Sequence, residues 1–244
     1  MTRLERAEVA ANAAGLDEAA PAILRVEDVV KEYTREAEVV RAVDDVSLQV
    51  AQGGFVAIVG PSGAGKSTLL HLVGGLDRPS RGRILLEGRD LAGLSQRELT
   101  LVRRRRIGFV FQFFNLLPNL PTWHNIAIPL LIDGIAPDAA RRRAEELARR
   151  LGIDQRVETP ARLLSGGEMQ RTAIARALAA DPALILADEP TGNLDRATGA
   201  EVLEFLRDLV DHEGRTVVLV THDEAAAHLA DDIVHMVDGR IVDG

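Results

Sequence analysis

The chain has 244 residues, which is enough for one large domain or for a core with one inserted subdomain. Its hydrophobic content of 46% and charged content of 27% are ordinary for a globular protein, whereas its net charge of −8 argues against broad nucleic-acid binding, which needs a basic surface. The absence of cysteine excludes disulfides and thiolate chemistry, and no apolar run approaches the roughly 20 residues of a membrane-spanning helix.

The first part of the chain is predicted to be rich in strands. Residues 1–20 contain many Ala and Glu residues without an apolar period, and we expect a poorly ordered extension there. The elements predicted next are strands at 23–33, 39–50, 55–59 and 83–86 and a helix at 66–74.

From about residue 95 the pattern becomes helical, and after Pro182 it alternates again. The predicted helices of the middle are 95–105, 122–133, 137–151 and 165–180, with one strand at 107–111. Beyond them we predict strands at 183–187, 216–220 and 233–237 and helices at 196–213 and 223–230. Strands that alternate with helices indicate an α/β fold with a mostly parallel sheet covered on both faces. We therefore predict one domain over 21–244, with a helical subdomain inserted at about 95–180.

A glycine-rich segment follows the predicted strand 55–59 and precedes the predicted helix. Residues 60–67 match G-x-x-x-x-G-K-[ST] in full, and this context distinguishes a phosphate-binding loop from a glycine-rich turn without a ligand. Lys66 is expected to reach the β- and γ-phosphates and Ser67 to ligate Mg²⁺. The predicted ATP-binding residues of the loop are Gly60, Pro61, Ser62, Gly63, Ala64, Gly65, Lys66, Ser67 and Thr68.

Two carboxylates end the apolar strand predicted at 183–187. Asp188 is placed to hold Mg²⁺, as the second metal-side group of P-loop enzymes does. Glu189 is the better candidate to orient and deprotonate the attacking water. The structural alternative is that the two acids only cap the next segment.

Ser165-Gly166-Gly167-Glu168 fits a capping box, S-x-x-E, which predicts that a helix begins here. A capping box does not explain two glycines in a first helical turn, where each costs up to about 1 kcal/mol relative to alanine. Glycine there allows a ligand to approach the backbone, and a helix N-terminus attracts anions. Both interpretations can hold together.

Residues 164–170, read together with the phosphate loop, resemble the signature segment of the ATP-binding cassette (ABC) ATPases. The resemblance implies a RecA-like P-loop NTPase fold: a parallel-sheet core with an N-terminal antiparallel β region and an inserted α-helical subdomain. In that family the signature contacts the nucleotide held by a second copy. The resemblance therefore implies a homodimer in which Ser165, Gly166, Gly167 and the D-loop residue Asp195 bind ATP in trans.

Three further residues are similar to functional positions of that family. Gln112, after the strand 107–111, resembles the Q-loop glutamine that touches Mg²⁺ and the attacking water. His222 resembles the switch histidine that contacts the γ-phosphate, although a histidine at a strand end is, taken alone, more often structural. Tyr33 lies where these ATPases place an aromatic side chain that stacks on adenine, with a core or edge position as the alternative. The resemblance covers roughly 23–243 and implies ATP and Mg²⁺ as ligands.

The sequences of segments 72–77, 109–118 and 187–195 resemble those of the ABC branch that includes lipoprotein-releasing, macrolide-export and bacterial cell-division ATPases. Part of the aromatic cluster in 109–118 is expected to be core and the rest an apolar groove for a short helix of a membrane partner. The basic runs 103–106 and 141–143 are expected to be solvated faces paired with nearby acids.

The resemblance implies the ATP-hydrolysing subunit of an ABC transporter, which drives an integral membrane permease by ATP-dependent dimer closure. Its expected location is cytoplasmic, at the inner face of the cell membrane through the permease, and no nucleic-acid partner is expected. The alternative is a soluble ABC ATPase acting on nucleic acid or the ribosome. Such relatives usually carry two cassettes, long coiled coils or zinc-binding insertions, whereas this chain has one cassette, no heptad stretch and no cysteine.

Overall fold

The computed structural model describes residues 21–35 and 38–242, so the extension predicted at 1–20 lies outside the described residues. These residues form two compact units. Unit 1 contains the described residues before Thr100 together with those from Arg207 onwards, and unit 2 contains residues 100–206.

The elements follow the predicted order. Before residue 100 they are β1 (Ala22–Arg35), β2 (Glu38–Ala51), β3 (Phe55–Val59), α1 (Lys66–Val73), β4 (Arg81–Leu86) and β5 (Arg89–Asp90). The middle of the chain contains α2 (Gln96–Arg106), β6 (Ile107–Phe111), α3 (Thr122–Ile132), α4 (Pro137–Arg150), two 3₁₀ turns (Asp154–Arg156 and Ala161–Leu163), α5 (Gly166–Leu178) and β7 (Leu184–Asp188). The chain continues with α6 (Arg196–Glu213), β8 (Thr216–Thr221), α7 (Glu224–Ala227), β9 (Asp232–Val237) and β10 (Arg240–Val242).

Every element predicted within the described residues has a counterpart, and the differences concern short elements. Strands β5 and β10 and the two 3₁₀ turns were not predicted, because two or three residues are too few to show a period. Helix α7 has four residues, whereas a helix over 223–230 was predicted.

Unit 1 contains an antiparallel sheet in the order β2-β1-β4-β5. The pairing of β1 with β2 runs from Ala22 opposite Ala51 to Arg35 opposite Glu38. Its apolar side chains alternate with polar ones, and Val43, Val46, Leu48 and Val50 are buried. This sheet is the N-terminal antiparallel β region that the resemblance implied.

Unit 1 also contains the strand order β10-β9-β3-β8. Strand β3 is buried along its whole length and runs parallel to β8 and to β9. Strands buried on both faces are continuous apolar runs rather than alternating ones, which explains the sequences of β3 and β8. Functional loops are expected at the carboxyl ends of such strands.

In unit 2, β6 and β7 are parallel, and α3, α4 and α5 surround an apolar core. The spacing of Ala140, Ala144 and Leu147 places one buried face along α4. The basic runs are paired with acids, as predicted: Arg104 and Arg105 both bind Asp133, and Arg141 binds Glu145 and Glu158.

Candidate nucleotide site

The phosphate loop of unit 1 has a backbone that only glycine permits at two places. Gly60 has φ 157° and Gly65 has φ 97°. A Cβ atom would lie 2.0 Å from the carbonyl oxygen of Met236 at Gly60 and 2.1 Å from that of Ala42 at Gly65. The loop therefore lies against neighbouring backbone at both positions, and a side chain at either one would force the backbone to shift.

Lys66 is folded over the loop. Its side chain is 6% exposed, and its ammonium donates to the carbonyls of Gly60 (2.7 Å) and Pro61 (2.9 Å). Helix α1 begins directly at this residue, with Gly65 as N-cap. Among the described residues no side chain caps α1, and its first turn contains no acid. Its first backbone N–H groups and its dipole therefore favour an anion beside the lysine.

Strand register brings His222 to the phosphate loop. Strands β3 and β8 are paired up to Val59 opposite Thr221. Gly60 and His222 are the next residues of each strand, so they leave the sheet at the same carboxyl edge. The exposed side chain of His222 lies at the edge where the phosphate loop begins.

Tyr33 lies near the end of β1, opposite Val40, and is 38% exposed, so it is not a core residue. Its hydroxyl donates to Asp77 (2.9 Å), and burial, followed by this carboxylate, raises the pKa of the phenol. The same hydroxyl contacts the side chain of Thr68 in the first turn of α1. The aromatic ring is thereby connected to the helix that follows the phosphate loop.

In unit 2, register brings together Gln112 and the acidic pair. Phe111 lies opposite Asp188 on the parallel strands β6 and β7. Gln112 and Glu189 follow them at one carboxyl edge. Glu189 has φ 47°, a conformation that is uncommon for a residue with a side chain and that marks functional positions more often than chance.

The loop after Glu189 contacts Gln112. Asn193 Nδ2 donates to the carbonyl of Gln112 (2.8 Å), and a Cβ atom at Gly192 would lie 2.9 Å from Gln112 Nε2. Gln170 is fully buried in α5 and donates from Nε2 to the carbonyl of Pro190 (2.6 Å). Sequence reasoning did not identify these contacts of Gly192 and Gln170, because no local pattern indicates them.

The predicted capping box begins α5. The Ser165 hydroxyl accepts from the Glu168 amide (3.3 Å) and donates to Glu168 Oε2 (2.9 Å), which also accepts from the Ser165 amide (2.8 Å). Arg156 donates to the other oxygen of this carboxylate (2.7 Å). These contacts, the Ser165 amide first and Arg156 second, lower the pKa of Glu168, so the carboxylate is charged at neutral pH.

The two signature glycines have different surroundings. A Cβ atom at Gly167 would lie 2.7 Å from Thr198 Cγ2, whereas at Gly166 it would meet only ordinary contacts. Gly167 therefore has a packing reason to be glycine besides the approach of a ligand. The carboxylate of Asp195 accepts from the Thr198 hydroxyl (2.7 Å) and amide (3.1 Å), which lowers its pKa. Residues of the signature and of the D-loop line one polar cleft of about 460 Å³ in unit 2.

The predicted site residues are therefore distributed over both units. Unit 1 contains the phosphate loop, Tyr33 and His222, and unit 2 contains Gln112, Asp188, Glu189, the signature and Asp195.

Comparison with known proteins identifies the class of protein. The model of the ABC transporter family matches residues 43–192. The chain belongs to the ABC transporter family, and its mixed α/β fold is that of an ATP-binding cassette. The predicted P-loop NTPase fold is confirmed.

The lipoprotein-releasing system ATP-binding protein LolD of Acinetobacter baylyi is 44% identical over 91% of this chain and 97% of its own length. The macrolide export ATP-binding/permease protein MacB of Bartonella henselae is 45% identical over 91% of this chain, which spans 34% of that protein. A dimeric post-hydrolysis structure of the ATP-binding cassette MJ0796 bound to ADP and Pi is 39% identical, with a TM-score of 0.84 over 89% of this chain and 96% of that one. The predicted resemblance to the branch with these two transport functions is confirmed.

Proposed function

We propose that this chain is the ATP-hydrolysing subunit of a membrane transporter and that it works as a homodimer. The observation that carries the proposal is the placement of Glu189, whose backbone has a strained positive φ and which shares a strand edge with Gln112. A kinase built on the same phosphate loop would leave the signature without a role. The names of the LolD and MacB relatives support a transporter rather than a nucleic-acid or ribosome function.

Binding of the nucleotide rests on unit 1. The glycines of residues 60–68 let backbone N–H groups converge on the β- and γ-phosphates, and α1 adds the positive end of its dipole. Lys66 exchanges its carbonyl partners for phosphate oxygens. His222 contacts the γ-phosphate, and Tyr33 stacks on the adenine.

Hydrolysis needs a water molecule aligned with the γ-phosphorus. Glu189 accepts a proton from this water while the water oxygen bonds to phosphorus and the bond to the β-phosphate oxygen breaks, which yields ADP and phosphate. Gln112 orients the water at the same strand edge. The catalytic residues of the proposal are therefore Glu189, His222, Gln112 and Lys66.

The proposed Mg²⁺ ligands fit that ion because they are all oxygen donors. They are the Ser67 hydroxyl, the Gln112 side-chain carbonyl and the Asp188 carboxylate, and magnesium prefers such hard ligands together with water. When bound, the ion would neutralise charge that develops on the β- and γ-phosphates. Within unit 2, the pairing of Phe111 with Asp188 places the last two donors at neighbouring strand ends.

The signature completes the site of a second copy. Ser165 supplies a hydroxyl donor, and residues 166–168 present the N-terminus of α5 to the γ-phosphate of the partner. Asp195 caps α6 from the same polar cleft and holds the D-loop in shape. The dimeric state of the MJ0796 cassette supports this arrangement.

The proposed membrane partner is a permease that docks on residues 112–117. Phe113 and Leu117 are 69% and 49% exposed there, and the Arg176 guanidinium donates to the carbonyls of Phe114 (2.8 Å) and Asn115 (2.6 Å). No helix within the described residues is long and apolar enough to cross a bilayer. The proposed location is the inner face of the membrane, where the chain is bound through this permease. Copurification of an integral membrane protein from detergent-solubilised membranes tests this partner.

The ATPase proposal is tested by Glu189→Gln, which keeps the shape of the side chain but removes the base. We expect ATP binding to persist, phosphate release to fall to background and an ATP-bound dimer to accumulate. Phosphate release and size-exclusion chromatography with light scattering measure these outcomes. Glu87→Gln is a matched control, because Glu87 is also a glutamate with positive φ (50°) but lies in the β4–β5 turn.

Normal turnover in the Glu189→Gln variant would show that the base is a different group. Loss of turnover without any ATP-dependent dimer would contradict the shared site while leaving the base assignment intact. An equal loss of turnover in the Glu87→Gln control would show that the loss comes from impaired folding.

A further inference from the structure

The side chain of Tyr33 is held by a polar network that the proposed ATP site does not use. Its hydroxyl donates to Asp77 Oδ2 (2.9 Å), while Lys31 Nζ donates to Asp77 Oδ1 (2.7 Å). The same ammonium lies 4.9 Å from the centroid of the tyrosine ring and donates to the carbonyl of Arg78 (2.8 Å). Two side chains of β1 thus converge on one carboxylate of the loop after α1.

Asp77 can accept hydrogen bonds from both Lys31 and Tyr33 because its side chain is charged. Partial burial raises the pKa of its carboxyl, but the hydrogen bonds from Lys31, the Arg78 amide and Tyr33 outweigh burial and leave the pKa below its usual range. At neutral pH the group is therefore a carboxylate that accepts on both oxygens. Its charge also accounts for the nearly buried position of the Lys31 side chain, which is 12% exposed.

The network leaves one face of the ring for a ligand. The Lys31 ammonium covers one face at 4.9 Å, while the Tyr33 residue remains 38% exposed. A cation on one face draws electron density from the ring. The opposite face is then a better stacking partner for an electron-rich purine than the ring of an unpaired tyrosine would be.

The network also connects the base position to the phosphate loop. The Leu76 amide donates to the carbonyl of His71 (2.9 Å), so the loop that contains Asp77 continues directly from the C-terminal end of α1. At the other end of this helix, Thr68 contacts the Tyr33 hydroxyl. One eight-residue helix therefore fixes the spacing between the phosphate cradle and the aromatic ring.

We propose that Asp77, together with Lys31, is a positioning residue that presets the ring of Tyr33 for the base of the nucleotide. The proposal rests on the proposed function, since it assumes that Tyr33 stacks on adenine. Its consequence is selective. Disruption of the network reduces the affinity for a nucleotide but leaves the affinity for the bare triphosphate unchanged, because only the base contacts the ring.

The test compares two probes by isothermal titration calorimetry on the whole chain: the non-hydrolysable analogue AMP-PNP and inorganic tripolyphosphate, both with Mg²⁺. Tyr33→Phe removes the hydroxyl and keeps the ring, and Asp77→Ala removes the acceptor. We expect each variant to weaken AMP-PNP binding about three- to tenfold, the equivalent of one hydrogen bond. We expect tripolyphosphate binding to stay unchanged and the double variant to bind no more weakly than either single variant.

Turnover supplies a second readout. In the Asp77→Ala variant the KM for ATP should rise by the same factor, while kcat at saturating ATP should stay unchanged, since Asp77 does not touch the reacting atoms. Asp90→Ala is the control, because Asp90 also accepts from a backbone amide (Ala92, 2.9 Å) in unit 1 but, among the described residues, belongs to no such network.

Three results would overturn the positioning role: unchanged AMP-PNP affinity in the Asp77→Ala variant, equal weakening of both probes, or an additive loss in the double variant. Tyr33→Ala separates this failure from that of the proposed function. If Tyr33→Ala does not weaken AMP-PNP binding, the stacking itself is wrong and the positioning role falls with it. If Tyr33→Ala weakens binding and Asp77→Ala does not, only the positioning role is wrong.

Discussion

Ser165→Ala separates the two roles of the signature serine, which caps a helix and is proposed to bind the γ-phosphate of a partner. The substitution removes the hydroxyl that accepts from the Glu168 amide at 3.3 Å and donates to Glu168 Oε2 at 2.9 Å. The bond from the Ser165 amide to the same carboxylate does not involve the hydroxyl and can remain. The capping box is thus halved rather than lost.

The structural cost follows from the cap. Loss of an N-cap hydroxyl destabilises a protein by about 1 kcal/mol, which lowers Tm by roughly 2–4 °C in a domain of this size. Glu168→Ala removes the carboxylate of the capping box together with its bond from Arg156, so it should cost at least as much, although it keeps the Ser165 hydroxyl. It is therefore the matched control for stability.

The functional cost should be larger. A hydrogen bond to a charged phosphate contributes about 1.5–3 kcal/mol, so turnover in Ser165→Ala should fall roughly 10- to 100-fold. AMP-PNP binding to a single chain should remain normal, because the hydroxyl serves the other site. Differential scanning fluorimetry, phosphate release and titration calorimetry measure the three quantities. Equal turnover in Ser165→Ala and Glu168→Ala would refute the reasoning, since it would reduce the serine to a cap.

Two further predictions concern stability. Gly63→Ala and Gly65→Ala both place a side chain at positive φ, which lowers the free energy of unfolding by about 1–2 kcal/mol. A Cβ atom at Gly65 would also lie 2.1 Å from the Ala42 carbonyl oxygen, whereas at Gly63 it would meet open space. Urea denaturation should therefore show a loss of stability about 1–3 kcal/mol larger for Gly65→Ala than for Gly63→Ala. Arg176→Met removes the guanidinium that donates to the carbonyls of Phe114 and Asn115. It should cost about 1–3 kcal/mol and speed amide exchange in 113–117, and unchanged exchange there would show that these two bonds do not hold the segment in place.

The sequence was most informative where chemistry requires a fixed local pattern. The phosphate loop could be predicted because Gly60 and Gly65 need backbone conformations that only glycine adopts readily. The capping box could be predicted for the same local reason, since Ser165 and Glu168 are three residues apart.

Contacts between residues that are distant in sequence could not be predicted in this way. Tyr33 and Asp77 are 44 residues apart, and no period or motif links them until β1 and the loop after α1 are folded. Gly167 was interpreted only as an opening for a ligand, because the Thr198 methyl that also excludes a side chain belongs to another helix. Side-chain partners of this kind are set by tertiary packing.

The two strand registers also suggest how the chemistry is divided. The edge of β3 and β8 supplies Lys66 and His222, which the proposal assigns to the phosphates, and the edge of β6 and β7 supplies Gln112 and Glu189, which it assigns to the water. Groups that hold a substrate before and during reaction contribute mainly to affinity, whereas groups that act on the water contribute only as the transition state forms. Substitution of Lys66 or His222 should therefore alter nucleotide affinity as well as turnover, whereas a conservative substitution of Glu189 should alter turnover at nearly constant affinity. This division is why the Glu189→Gln variant is expected to bind ATP normally but not to hydrolyse it.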